Sequence, residues 1–238
     1  MITSPTNRHL TEIRKLASAS WRSRSGRFVA EGEDLNEAAF AAGVHPCYVL
    51  AAAPAEHVAV ERGWLEVEPA LLLGVSALAS GTRAIGVYEQ RWSPPAGPLA
   101  VALWGVRDPG NVGTAIRSAG AFGAACAALG PGCADPYGPK AMRASMGAIF
   151  GVRIARFTEV GELPGCVIGL DARGERSLRG PRSEELTLLV GAEREGLPPE
   201  VLARCDEVAR IPQVAGDSLN AATAAAIALY EVTRMAAG

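Results

Sequence analysis

The chain has 238 residues, 49% of them apolar and 20% charged, and a net charge of -2. That balance supports a buried core and excludes wholesale disorder, the length admits one large domain or two smaller ones, and a near-neutral total excludes a surface coated in positive charge, so any nucleic-acid contact must come from local clusters. No apolar run approaches the roughly 18 to 20 residues of a membrane span and the first residues lack a signal-peptide core, so a cytoplasmic address without a membrane partner is expected.

Between residues 8 and 27 stand Arg8, Arg14, Lys15, Arg22, Arg24 and Arg27 around Trp21, opposed by Glu12 alone. Arg22, Arg24 and Arg27 are candidates for holding RNA phosphates beside a ring that could stack on bases; the alternative is the solvated face of an amphipathic helix. Residues 31 to 68 reverse the balance, with eight acidic residues against Arg62, and are not read as a nucleic-acid surface. Hydrophobic periodicity then predicts a strand over Phe28 to Ala30, a helix from Glu33 to Ala42 closed by Gly43, and a strand from Cys47 to Ala51. Strands at Trp64 to Val67 and Ile85 to Tyr88 follow, flanking a helix from Pro69 to Ala79. The prolines at 94, 95 and 98 break both periods. They mark a linker over residues 91–98 between a small domain, residues 1–90, and a larger one, residues 99–238, expected to fold by itself.

In the larger domain Leu99 to Val106 reads as a strongly apolar strand and Asn111 to Phe122 as a helix. Ala124 to Leu129, Val152 to Phe157, Val167 to Leu170 and Leu186 to Val190 are short apolar runs typical of parallel strands buried on both faces. An alanine-rich helix from Asn220 to Ala236 closes the chain. An α/β domain of this kind invites a search for nucleotide fingerprints, but neither G-x-G-x-x-G nor G-x-x-x-x-G-K-[ST] occurs. The three histidines, His9, His45 and His57, all precede residue 91, which disfavours a Ser-His-Asp hydrolase. Cys47, Cys126, Cys133, Cys166 and Cys205 are scattered without metal-ligand spacing and read as reduced structural thiols, so no metal is expected.

Three segments carry more than packing requires. Asp108-Pro109-Gly110-Asn111-Val112-Gly113-Thr114-Ala115-Ile116-Arg117 follows the first strand, with Asn111 able to cap the helix and Arg117 projecting from it. Val190-Gly191-Ala192-Glu193-Arg194-Glu195-Gly196-Leu197-Pro198 ends another strand, at the sheet edge where parallel sheets bind ligands. Ile211-Pro212-Gln213-Val214-Ala215-Gly216-Asp217-Ser218-Leu219-Asn220 leads into the last helix, with Ser218 or Asn220 able to cap it.

In this order the three segments resemble the signature motifs of the SpoU family of RNA 2′-O-ribose methyltransferases, within the SPOUT superfamily. The resemblance covers residues 99 to 238, and Arg27-Phe28-Val29-Ala30-Glu31-Gly32 resembles the small α/β RNA-binding domain that precedes it in ribosomal-RNA-modifying members. It implies an α/β fold with a SPOUT-type parallel sheet and a C-terminal trefoil knot, against the general rule that chains avoid knots, and a homodimer. It implies S-adenosylmethionine as cofactor, held around Gly191, Ile211 and Leu219, and a site built from Asn111, Arg117, Glu193, Ser218 and Asn220. The loop 213–217 departs from the pattern, Gln213 standing where a methionine is usual. The partner implied is RNA, ribosomal first and transfer RNA second; a non-catalytic RNA-binding protein of ribosome assembly is the alternative, although the motif residues it would lose are all present.

A ribose hydroxyl is a poor nucleophile near neutral pH, so methyl transfer to it needs proton removal or polarisation. Arg117 is the residue the family resemblance offers. A guanidinium stays protonated at any ordinary pH, which leaves two roles open, an unusual base or a group orienting the phosphate beside the nucleophile.

Overall fold

The computed structural model describes residues 1–53, 63–78, 81–214 and 219–234. Ser218, the end of the Pro69 helix at Ala79 and the end of the last helix at Ala236 lie outside the described residues.

The first part contains α1 (Arg8–Leu16), α2 (Ala19–Ser25), β1 (Arg27–Glu31), α3 (Glu33–Ala41), β2 (Tyr48–Ala52), β3 (Leu65–Val67), α4 (Pro69–Leu73) and β4 (Ala84–Glu89). Its sheet runs in the order β1-β4-β2-β3, with β4 antiparallel to both neighbours and β2 parallel to β3. The basic segment is helical. In α1 the residues Leu10, Ile13 and Leu16 repeat at helical spacing and are buried against the sheet, while Asn7 caps the start by accepting from His9 N at 2.9 Å. Arg14 and Lys15 fall in the last turn, where cations suit the helix dipole.

The second part contains β5 (Trp92–Ser93), β6 (Leu99–Leu103), α5 (Pro109–Ala121), β7 (Cys126–Leu129), α6 (Pro139–Ser145), β8 (Arg153–Arg156), β9 (Cys166–Leu170), β10 (Arg176–Ser177), β11 (Leu186–Val190), α7 (Pro199–Leu202), β12 (Glu207–Arg210) and α8 (Ala221–Thr233). An eight-stranded sheet, order β10-β12-β9-β11-β6-β7-β8-β5, is parallel at every pairing. β11 lies between β6 and β9, so the chain crosses the sheet after β8 and later inserts a strand beside β6. The expected trefoil knot depends on the path from β12 to α8, of which residues 215–218 lie outside the described residues.

The sequence of β6 shows why the sheet needs layers on both faces. Val101 and Leu103 point to the side holding α5, α6 and α8, and Ala100 and Ala102 to the side holding Phe157, Val160 and Val201; all are buried. Strands β12 and β10 and helices α6 and α7 were not predicted. Each is short, and β12 reads Glu-Val-Ala-Arg, with too little apolar character to show a period.

The two parts share a core. Phe28 and Tyr88 from the small sheet stack at 5.8 Å, Phe28 meets Tyr137 at 4.7 Å and Tyr88 meets Phe150 at 5.2 Å. The linker stretch is tied in as well: Trp92–Ser93 is the edge strand of the large sheet, and the Tyr137 hydroxyl both accepts from Arg91 N at 3.0 Å and donates to Arg91 O at 2.9 Å. Burial pushes the Tyr137 hydroxyl up to about 12, so it stays a donor at any physiological pH.

Candidate active site

Helix α5 starts at Asp108 rather than at Asn111. The Asp108 carboxylate accepts from Asn111 N at 3.0 Å and from Lys140 Nζ at 2.7 Å, and Pro109 occupies the first helical position, where a missing N–H costs nothing. The Lys140 bond first, then the Asn111 N–H, holds the Asp108 carboxyl below the usual carboxylate range. Asn111 was expected as a cap; with Asp108 in that role its side chain is released to point away from the helix start. Gly113 lets α5 approach α6, since a Cβ there would run into the backbone carbonyl of Ala141 and the Ala144 methyl.

The released amide joins the other two motifs. Asn220 caps α8, its Oδ1 accepting from Ala222 N at 2.9 Å and Thr223 N at 3.2 Å. Its Nδ2 donates to Asn111 Oδ1 at 3.0 Å, and Asn111 Nδ2 donates to the Glu193 carboxylate. The direction of the relay is forced at both ends: helix N–H groups demand the oxygen of Asn220, and an ionised carboxylate accepts but cannot donate. The structure thus brings Asn111, Glu193 and Asn220 together.

Arg117 stands apart from them. It is exposed and makes no hydrogen bond or ion pair with the described residues. At 3.6 residues per turn the step from Asn111 turns the side chain by about 240°, toward the exposed face that also carries Thr114 and Ala121. The neighbouring helix α8 exposes Thr223, Ile227 and Tyr230, the Tyr230 ring lying 6.2 Å from that of Phe122 at the end of α5.

Gly191, Ile211 and Leu219 line one cleft of about 350 Å³ at the carboxyl ends of β9, β11 and β12, with Asp171, Glu193 and Ala224 among the other residues of its wall. Its volume lies within the roughly 300 to 1,000 Å³ usual for ligand sites. Backbone groups at strand ends, the apolar side chains of Leu170, Val190, Ile211 and Leu219 and flanking charges suit a nucleoside carrying an amino-acid tail. Gly191 was expected to be glycine so that a ligand can approach. A Cβ there would strike the backbone of Gly196 and Leu197, so the closed turn formed by Gly196 N and Ala192 O, 2.9 Å apart, is the nearer reason.

The expected RNA-binding arginines divide. Arg22 is a correction: it is buried, its guanidinium bridging Asp135 at 2.8 Å and donating to the carbonyls of Leu16 and Ala17 at 2.9 Å, so it cannot meet a phosphate. Arg27 pairs with Glu12 at 2.9 Å and is partly exposed. Arg24 is exposed over the Trp21 ring at 4.4 Å, and Lys15 approaches the same ring at 4.7 Å, so that indole already carries its own cations. The thiols behave as structural groups: burial pushes Cys126 and Cys133 up, and Cys205 up to about 11, keeping them protonated. No cluster of metal-ligating side chains occurs among the described residues, and none of the helices searched there is long and apolar enough to cross a membrane.

A parallel α/β sheet with a nucleoside-sized cleft at its carboxyl edge, and an amide-carboxylate relay on the lip of that cleft, defines a class of nucleotide-cofactor proteins without the usual glycine fingerprint. Residues 98–230 match the SpoU rRNA Methylase family, and the chain belongs to that family. A crystal structure of an AdoMet-bound rRNA methyltransferase from Sinorhizobium meliloti is 34% identical and superposes with a TM-score of 0.84, over 97% of this chain and 95% of that one. A structure described as an RNA 2′-O ribose methyltransferase is 28% identical with a TM-score of 0.74, over 97% and 96% of the two chains. A ribosomal RNA small subunit methyltransferase G 2 of Syntrophobacter fumaroxidans is 36% identical over 76% of this chain, which spans 37% of that relative's length.

Proposed function

We propose that this chain transfers a methyl group from S-adenosylmethionine to a ribose 2′-hydroxyl of RNA, ribosomal RNA being the expected substrate, and that it works as a homodimer. The observation that carries the reading is the relay Asn220 to Asn111 to Glu193 on the lip of the cofactor-sized cleft. Similarity to the 2′-O ribose methyltransferase structure supports the choice of acceptor.

Gly191, Ile211 and Leu219 would hold the cofactor, which supplies an electrophilic methyl group on a sulfonium. The protein's task is then to position and polarise the hydroxyl. Asn111 and Asn220 fix the Glu193 carboxylate in one orientation, and a fixed carboxylate can accept from a ribose hydroxyl without reorganising. Arg117 presents a planar, permanently charged fork that can clamp the phosphate next to the reacting sugar. The exposed Thr223, Ile227 and Tyr230 of α8, the helix packed on α5, support dimerisation over these two helices, which would bring Arg117 toward the partner subunit.

The test is transfer of labelled methyl to RNA from cells lacking the gene, followed by nucleoside analysis. A 2′-O-methylated nucleoside is expected, and replacing the target sugar by its 2′-deoxy form should abolish transfer. Methylation of the deoxy substrate would place the acceptor on the base and overturn the ribose reading.

A further inference from the structure

A second groove, of about 520 Å³, opens between α2, the turn that follows β7 and the carboxyl end of β8. None of the three motifs uses it. Along one side Trp92 is locked in place, its Nε1 donating to Gln90 Oε1 at 2.9 Å and its ring edge packing on Tyr137 at 5.2 Å. The Arg156 guanidinium lies 3.7 Å from the centre of that indole. Arg156 is exposed and has no ion pair with the described residues. A guanidinium with one face on a fixed indole presents its other face as a flat cationic surface, the kind on which unpaired bases stack. The acid in the groove, Asp135, is already neutralised by Arg22, so the cationic character stands.

We infer that this groove receives an unpaired nucleobase of the RNA strand, stacked on Arg156; the inference rests on RNA being the substrate. Position supports it. The groove's turn is bonded to the loop that leads into the catalytic helix, Gly105 N donating to Pro131 O at 3.0 Å and Ala134 N to Val106 O at 2.9 Å. The groove and the cofactor cleft thus share the carboxyl edge of one sheet, and one strand of RNA can engage both. The hydrogen-bonding groups also indicate what kind of pocket it is. Gln90 is committed to Trp92 and to the carbonyls of Arg22 and Arg27, and Thr158 to Glu162. Few groups are left to read a base edge, so the pocket holds its base by stacking and tolerates base identity.

The test uses the full chain, a 12-nucleotide oligoadenosine and a ribose-phosphate strand of equal length without bases, with binding followed by fluorescence anisotropy. The wild-type chain should prefer the base-bearing strand. Arg156→Lys keeps the charge and loses the plane, so it should weaken oligoadenosine binding about 5-fold or more while leaving the abasic strand and the salt dependence unchanged. Oligouridine should show the same loss. No preference in the wild type, no loss in the variant, or an equal loss on both strands overturns the pocket. Methyl transfer is scored separately: ribose methylation with indifference to Arg156→Lys sinks the pocket alone, and stacking through Arg156 without methyl transfer sinks the methyltransferase reading alone.

Discussion

Arg22 and Arg117 divide the molecule into two kinds of region. Arg22 sits in the seam between the sheets, with 6% of its side chain exposed, and all its bonds run to protein groups, the Asp135 carboxylate among them. Arg117 sits on the exposed face of α5 and makes no bond with the described residues. The seam is aromatic and closed, built from Phe28, Tyr88, Tyr137 and Phe150. The carboxyl edge of the large sheet is open and polar. The contrast teaches that an arginine's type says little about its work; what surrounds the guanidinium decides whether it holds the fold or is left for a ligand.

Removing residues 1–97 would break the seam outright and is expected to have the largest effect. Each buried ring contributes on the order of 200 Å² at about 25 cal/mol/Å², an upper figure given a compact unfolded chain. Losing Phe28 and Tyr88 and uncovering their partners therefore removes an amount comparable to the roughly 5 to 15 kcal/mol that keeps a domain folded. The full chain should unfold in one calorimetric transition and, against the expectation that residues 99–238 fold by themselves, a chain beginning at Pro98 should show none. A well-behaved transition in the shortened protein would mean that the shared core is dispensable.

On the exposed face of α5, Arg117→Ala should lower turnover by about 100-fold or more, near 2.7 kcal/mol of barrier, while cofactor affinity by calorimetry changes by no more than a few fold. Arg117→Lys should not restore it, because a point charge cannot reproduce the fork. Equal losses in cofactor affinity and turnover would move Arg117 from the chemistry to the cofactor.

Back in the seam, Arg22→Ala leaves Asp135 without its cation, with the Tyr137 N–H still donating to it at 2.9 Å. The carboxylate is 32% exposed, so water recovers part of the loss and a cost of about 2 kcal/mol is expected in urea unfolding. The salt dependence of RNA binding should not change, whereas Arg24→Gln should lower its slope by about one. If Arg22→Ala flattens the slope instead, the guanidinium reaches phosphate and the division fails.

The smallest effect belongs to Asp108, a cap at the junction of fold and site. Asp108→Ala should cost about 1 kcal/mol and loosen Asn111. Because the folded carboxyl is held below the usual range, its contribution is complete above the unfolded value of about 3.9 and is lost as pH falls through the lower folded value. The difference from wild type in urea midpoint should be constant near neutral pH and shrink below about pH 4.

Continuous apolar runs, Leu-Ala-Val-Ala-Leu among them, were enough to place β6, β7, β9 and β11, because buried parallel strands must be apolar on both faces. Asp108-Pro109 carried a helix-start signal that identifies the cap, although the expectation placed the cap at Asn111. The polar motif residues were legible as types in order. Their meeting was not, since Asn111, Glu193 and Asn220 are far apart in the chain and come together only when β11 is laid beside β6 and α8 returns across α5. The fate of the basic segment was equally hidden. Sequence alone determined that cations would cluster there, because charge is local; only the tertiary structure decided that Arg22 would be enclosed by a carboxylate from the loop after β7 while Arg24 and Arg156 lie against indoles and Arg117 is left open, because burial depends on what the rest of the chain brings alongside.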